Sequence, residues 1–376
     1  MKSRERVRCV LDHQQPDRVP IELGGACTSF TYGSYNRMKK YFDLKYPKAK
    51  IGGFKVMEDI DDEVLEAFQT DFRFVLFAPE GEEWKNRPID EKSFADYWGI
   101  QFYDVGDYYE MVQHPMRDFD VYDLEAYKWP DFGNKIAYTG LQEKAKKLYE
   151  NTDYSLVGNC AINLLERAQW LRGIDTFLMD MLVEEEFANA LLDKLLVLGK
   201  QYIDNYLEEV GDYIDVIYLG DDLGTQNGLI MSPELYRKML KPRYSELCDY
   251  IKKKTKAKIY HHSCGSVFPL IGDLIDAGVD ILNPIQPRAV GMDRAKIKKT
   301  FGDKLIFWGG IDIQYTLPRG TKEEIIKEVT TALETLGRDG GYVLGPAHNV
   351  QSDVSPENLM LMVDTGIEVS KKMYRV

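Results

Sequence analysis

Short apolar runs recur along this chain at intervals that a helix can fill, and most of them end in polar residues. Ser3 is placed to cap a first helix in which Val7, Val10 and Leu11 recur at helical spacing, and Pro16-Asp17-Arg18 stops it. Helical spacing returns at Tyr35, Met38 and Phe42 and again from Asp62 to Phe68. The strand-like runs are Val19 to Leu23, Phe72 to Phe77, Tyr154 to Gly158, Asp215 to Gly220, Lys258 to His262, Asp280 to Asn283, Lys304 to Trp308 and Gly341 to Gly345. Eight such strands, each followed by a helix-length segment, predict an α/β fold over residues 1–376: a single closed (β/α)8 TIM barrel. Between about 80 and 130 the pattern changes, with alternation at Gly99 to Tyr103 and at Tyr108 to Val112 around a Gly106-Asp107 turn, so a β-hairpin insert after strand two is expected. An open doubly wound sheet is the alternative, but no Gly-x-Gly-x-x-Gly stands at a strand-to-helix turn.

In a parallel barrel the loops after the strands share one face, so polar residues there are the candidates for chemistry. Strand three ends at Asn159 and its loop leads to Asn163 and Glu166; strand four ends in Asp221-Asp222 with Gln226 beyond. Strand five gives His262 and Cys264, strand six Asn283, strand seven Asp312, and strand eight His348-Asn349. On an extended chain alternate side chains share a face, so His262 and Cys264 point the same way. Imidazole and thiolate are ligand types that zinc prefers, which makes His-x-Cys a two-point grip on a metal, with His348 as a candidate third ligand. The other readings are a buried strand with an inert thiol, and a His348 that caps a helix or acts as a general acid. Asp221 and Asp222 could equally cap the helix that follows them. No Lys stands at a strand's carboxyl end, which argues against a Schiff base, and no Gly-rich phosphate loop is evident.

Composition narrows the partners. The 376 residues are 44% hydrophobic and 29% charged, an ordinary globular balance, and the formal charge of -13 argues against a nucleic-acid backbone or an anionic membrane as partner. The amino terminus lacks an apolar stretch of signal-peptide length, and the five cysteines are scattered and odd in number. A reducing, cytoplasmic setting is therefore expected, with the oligomeric state open.

Several motifs together carry a resemblance. Arg4-Glu5-Arg6-Val7 with Pro16-Asp17-Arg18-Val19-Pro20, Glu166 to Gly173, Gly220-Asp221-Asp222-Leu223-Gly224, His262-Ser263-Cys264-Gly265 and Trp308-Gly309-Gly310-Ile311-Asp312 span nearly the whole chain. As a set they resemble the uroporphyrinogen decarboxylase superfamily, in particular its branch of methyltransferases that work with corrinoid proteins. The resemblance implies a (β/α)8 barrel and two candidate chemistries. The decarboxylases bind a polycarboxylate tetrapyrrole through an Arg-Gln-Ala-Gly-Arg loop after strand one. Here that loop reads Leu23-Gly24-Gly25-Ala26-Cys27-Thr28-Ser29-Phe30, with neither Arg. Buried anions left without guanidinium partners would cost several kcal/mol or so each.

The methyltransferases carry zinc on His-x-Cys and on a Cys after strand eight, where this chain has His348. The resemblance thus implies zinc on His262, Cys264 and His348, and a corrinoid held by a partner protein. It further implies Asp222, Glu166 and Gln226 as catalytic groups that orient substrate or relay a proton. Asn159, Asp221, Asn283, Asp312 and Asn349 are the expected substrate contacts. The substrate that the resemblance implies is a methyl ether, a methylamine, a thiol or a tetrahydrofolate. The remaining readings are a decarboxylase acting on a tetrapyrrole or related carboxylate, and a non-catalytic small-molecule binding protein.

Overall fold

A computed structural model describes residues 1–25, 27–45 and 47–374. Seven parallel strands lie side by side in chain order: Phe72–Val75, Ser155–Asn159, Val216–Gly220, Lys258–His262, Ile281–Asn283, Ile306–Trp308 and Tyr342–Val343. The segment around Ile21 joins the two edges. Glu22 N–H donates to Leu344 O and Leu344 N–H to Pro20 O, both at 2.9 Å, while Asp71 N–H donates to Ile21 O at 2.9 Å. The sheet is therefore closed, and the barrel expected from eight apolar runs is present. Pro20 has no N–H, so the first segment makes only these few ladder bonds.

Alternation sorts each strand's side chains. Phe72, Val157, Val216, Tyr260, Ile281, Ile306, Trp308 and Val343 form one buried cluster inside the barrel, and Val7, Val10 and Leu11 of the helix Ser3–Leu11 pack into the same cluster. The intervening positions, such as Ile217, Leu219, Ile259 and Leu282, join a larger cluster with the surrounding helices. The 26-residue helix Glu185–Val210 contributes Leu191, Leu192, Leu195 and Tyr202 to it. Close to the first helix, Asp71 is fully buried and accepts from Arg6 at 2.7 Å and from Arg18 at 2.8 Å.

The insert is more elaborate than a hairpin. It is a four-stranded antiparallel sheet, Arg87–Pro88, Ser93–Ala95, Gln101–Asp104 and Tyr109–Gln113, paired in chain order with a bulge at Gln101/Phe102. Lys55 ties it to the barrel's first loop region, donating to both oxygens of Asp104 at 2.8 and 2.9 Å and to Gly106 O. Among the described residues no helix is long and apolar enough to cross a membrane.

Candidate active site

His262 occupies the last inward-facing position of its strand, two residues beyond Tyr260, so strand alternation delivers its ring to the barrel's carboxyl-end mouth. Its Nδ1 is bonded to Asn283 Oδ1 at 2.6 Å, and Asn283 Nδ2 donates to Trp308 O at 3.0 Å. That second bond fixes which way the amide faces, so Nδ1 carries the hydrogen and Nε2 is left with its lone pair. Cys264 Sγ lies 3.3 Å from that Nε2. The turn holding Cys264 is tightly built: Cys264 N–H donates to Asp222 Oδ1 at 2.7 Å, and Leu223 N–H donates to Ser263 Oγ at 2.9 Å. Gly265 follows with φ +87, where a Cβ would stand 2.5 Å from the backbone of Gly224 and Thr225. Only glycine lets the two loops meet this closely.

His348 completes a trio: one donor atom from each of His262, Cys264 and His348 lies within 4.8 Å of the others. A zinc ion bonded at about 2.0–2.3 Å to nitrogen and sulfur sets ligand-to-ligand edges near 3.5 Å in a tetrahedron. The 3.3 Å pair already matches such an edge, and two imidazoles with one thiol are a borderline-soft donor set. The residues fit zinc. Electrostatics agree with a cation here. Burial works against a charge on His262, while the nearby Cys27 and Cys264 sulfurs act in the opposite sense and raise its pKa, so positive charge is favoured at Nε2, whether a proton or a metal ion in its place. Burial pushes His348 down to about 4, helped by His262, so it presents a neutral ring.

A cavity of about 350 Å³ lies over the trio, walled by Phe54, Phe77, Tyr108, Trp170 and Tyr218, with Glu58, Glu166 and Asp222 as its carboxylates. Among the described residues lining it there is no Lys or Arg. Burial, then Asp222, raises Glu166 to about 7, and Asn163 Nδ2 donates to Glu166 Oε2 at 2.6 Å. Asp222 Oδ1 is 3.8 Å from His262 Nε2. A larger cavity of about 760 Å³ is lined by Arg8, Asp215 and Lys258 at the strands' amino ends, the face that in such barrels serves stability.

The sequence-based candidates separate in space. Glu166, Asp222, Asn159, Asn349, His262 and His348 all line the cavity. Three expected substrate contacts, Asp221, Asn283 and Asp312, the expected catalytic Gln226 and the expected ligand Cys264 do not. Asp221 is fully buried behind it, accepting from Leu164 N–H at 2.9 Å, Glu166 N–H at 2.5 Å and the Tyr244 hydroxyl, so it caps and holds the segment that carries Glu166. Asn283 lies beneath His262 and orients it. Asp312 accepts from Arg288 at 2.5 Å and from Thr316 N–H at 3.0 Å, a loop-organising role. Gln226 bonds to Arg288 O and to Gln286, on the exposed rim. Sequence reasoning missed Cys27, Glu58, Tyr218 and the aromatic walls. Cys27 stood in the loop scanned for arginines, and a search of that loop for any metal-binding side chain finds it. Ala26 of that loop lies outside the described residues.

Fold and site together define a (β/α)8 barrel with a His/Cys trio that could hold a metal ion at its carboxyl-end mouth. Residues 123–369 match the family described as Uroporphyrinogen decarboxylase (URO-D), and the chain belongs to that family. Among curated relatives, the uroporphyrinogen decarboxylase of Pelodictyon phaeoclathratiforme is 25% identical over 187 residues, 48% of this chain and 49% of that protein. That of Aliivibrio salmonicida is 38% identical over 94 residues, 23% of this chain and 25% of that one. The chain thus spans at most about half the length of the curated relatives it matches. A methyltransferase from Methanosarcina mazei shares the fold, with a TM-score of 0.68, 19% identity, and coverage of 98% of this chain and 99% of that one.

Proposed function

We propose that this protein moves a methyl group between a small molecule and a corrinoid carried by a separate protein, with zinc held by His262, Cys264 and His348. The observation that carries this reading is the ligand trio under a small cavity whose charged side chains are all carboxylates. Zinc bound there supplies Lewis acidity at the atom that gives up or receives the methyl group. The chain does the rest. Asn283 holds His262 in the tautomer that offers Nε2, and Asp222 fixes the backbone of Cys264. Glu166, protonated below about 7, is poised to hand a proton to a departing oxygen or nitrogen, or to take one back, while Asn163 fixes its orientation. Phe54, Phe77 and Trp170 keep water from the reacting centre.

The cavity lies near the lower end of the roughly 300–1,000 Å³ usual for small-ligand sites, which suits a methyl ether, methylamine, thiol or tetrahydrofolate group better than a whole tetrapyrrole. The names of the curated relatives favour a decarboxylase as the second reading. Against it, Glu58, Glu166 and Asp222 would repel a polycarboxylate that finds no Lys or Arg among the described lining residues. A cytoplasmic location accords with five free cysteines.

The test uses cobalamin, whose visible spectrum reports methylation directly. Cob(I)alamin is offered with a panel of methyl donors, and methylcobalamin with acceptor thiols and tetrahydrofolate, alone and with a candidate corrinoid protein. Wild type is expected to carry close to one zinc per chain, and Cys264→Ala and His348→Ala to lose metal and about a hundredfold or more in rate. Release of carbon dioxide from uroporphyrinogen with no methyl transfer would replace this reading with the decarboxylase.

A further inference from the structure

The cavity over the trio draws its carboxylates from three separate elements: Glu58 from the short strand Met57–Glu58, Glu166 from the helix Leu165–Arg172, and Asp222 from the turn after Val216–Gly220. Buried acids elsewhere are matched. Asp71 holds Arg6 and Arg18, Asp180 holds Arg172, and Asp273 holds Arg237 and Lys241. Glu22 and Asp221 hold no cation, but N–H and O–H groups of Gly25, Thr28 and Trp308 donate to the first, and those of Leu164, Glu166 and Tyr244 to the second. Among the described residues Lys and Arg pair with none of the three acids of the cavity. The cations nearest in sequence are held away from it. Lys55, next to the lining residue Phe54, donates to Asp104 and Gly106 O; Arg167, next to Glu166, lies 4.6 Å from the Trp98 ring and 4.6 Å from the Trp170 ring. Glu58 is the acid that methyl transfer leaves without a part in the chemistry, and burial, then Asp59, raises its pKa above the ordinary carboxyl value.

We infer that the small molecule on which this site acts carries an ammonium group, bound by Glu58 and the rings of Phe54 and Tyr108 in the same wall, with the atom that exchanges the methyl group left to face the trio. This rests on the reading of the cavity as the site of methyl transfer. Two attractions act together: a carboxylate in a half-closed cavity pairs with the cation, and an aromatic face presents the negative side of its quadrupole to it. Zinc does not reverse the sign. A divalent ion with one thiolate and two neutral imidazoles adds a single positive charge, against three carboxylates, or two when Glu166 holds its proton. The same charges turn anions away, which places tetrahydrofolate, with its glutamate tail, behind an amine as partner of this site. An uncharged ether gains nothing from Glu58.

Three molecules of similar size separate charge from shape: choline is a cation, 3,3-dimethylbutan-1-ol has carbon in place of its nitrogen, and 3,3-dimethylbutanoate is an anion. Calorimetric titration of the zinc-loaded protein measures their binding and needs neither corrinoid nor turnover. Choline is expected to bind about tenfold or more tightly than its neutral isostere, and the anion more weakly than either. Glu58→Gln keeps the shape of the side chain and removes its charge, so the preference for choline should fall by about tenfold while the alcohol binds as before. Phe54→Leu removes one ring and should lower the preference by about threefold. Melting curves confirm that both variants fold. Equal affinity for choline and the alcohol in wild type overturns the inference, as does absence of choline binding or a preference that survives Glu58→Gln. With zinc bound and methyl transfer to or from cobalamin intact, each of these results leaves the proposed function standing. A preference for choline in a protein that binds no metal and moves no methyl group overturns the proposed function, and with it the substrate role drawn here.

Discussion

Asn283 offers the sharpest perturbation of the site, because it lies outside the cavity yet orients His262, the ring proposed to hold the metal. In Asn283→Ala, the 2.6 Å bond to His262 Nδ1 and the 3.0 Å bond to Trp308 O both disappear, at a position with no solvent exposure. Two buried polar groups left unpaired at about 1–3 kcal/mol each put the loss of folding stability at roughly 2–6 kcal/mol, lower if a water enters the vacated space. With its Nδ1–H unheld, the ring is free to turn and to shift its proton to Nε2, so metal affinity should fall by about 10–100-fold. Asn283→Asp separates the two effects. It keeps an acceptor for His262 but sets a carboxylate oxygen against the Trp308 carbonyl, so affinity should stay near that of wild type while stability falls. Gly309→Ala reaches the same amide from outside, since a Cβ there would lie 2.8 Å from Asn283 Nδ2 on a backbone with φ +73. Competition against a chromogenic chelator measures affinity, and urea unfolding of the metal-free proteins measures stability. Affinity within about twofold of wild type in Asn283→Ala would refute the view that this amide orients the ligand.

Three further outcomes are expected. Glu166→Gln should remove an ionisation near pH 7 from the pH dependence of the rate, where wild type loses activity as pH rises if Glu166 donates its proton. The same residue has a stability signature: between its ordinary 4.5 and about 7 the folded chain holds a proton that the unfolded chain lacks, so wild-type stability should fall as pH rises through that window. Glu166→Gln should flatten that slope, and an unchanged slope would place the titration elsewhere. Removal of metal by chelation should leave a cooperative melt and an unaltered far-ultraviolet spectrum, because the barrel's interior cluster and helix layer hold the fold; collapse would make the metal structural. Asp71→Asn, near the helix Ser3–Leu11, removes the charge that pairs Arg6 and Arg18 and should cost about 3–5 kcal/mol in urea unfolding with metal content unchanged.

The barrel was legible because its strands are short apolar runs whose burial does not depend on distant partners. Lys258–His262 is observed with the expected bounds, and the other six strands begin or end within a few residues of theirs. The insert was only partly legible. Its alternating pair appears as Gln101–Asp104 and Tyr109–Gln113, but Arg87–Pro88 and Ser93–Ala95 are too short to show a period. They are fixed by tertiary packing such as Phe94 stacked on Phe102, with ring centroids 5.3 Å apart. At the site, His262 and Cys264 announced themselves by spacing and His348 by its place after the last strand. Asp221, Asn283 and Asp312 were equally polar and equally near strand ends, yet they face loops and ligands rather than the cavity. Whether a strand-end polar residue meets substrate or buttresses its neighbour is decided by which backbone groups the adjoining loop leaves unpaired, and that is set only when the loops pack.

The adjacent pair His261-His262 shows how the fold, rather than the side chain, selects chemistry. Both rings are buried, at 0% and 5% exposure, so burial alone does not distinguish them. His261 points outward to the helix layer, edge-on to Tyr244, and neither of its ring nitrogens has a hydrogen-bond partner among the described residues. Burial pushes its pKa down to about 3, and it behaves as a neutral core aromatic. One residue later the strand turns His262 inward, where Asn283, Cys264 and Asp222 converge on it. A slip of one residue in the pairing of Lys258–His262 with Val216–Gly220 would exchange the two rings, the one at the mouth and the one in the helix layer. The register is held because the same slip would drive Ile259 into the barrel and Tyr260 out of its contact with Trp308. The apolar residues that close the barrel therefore also decide which histidine reaches the mouth.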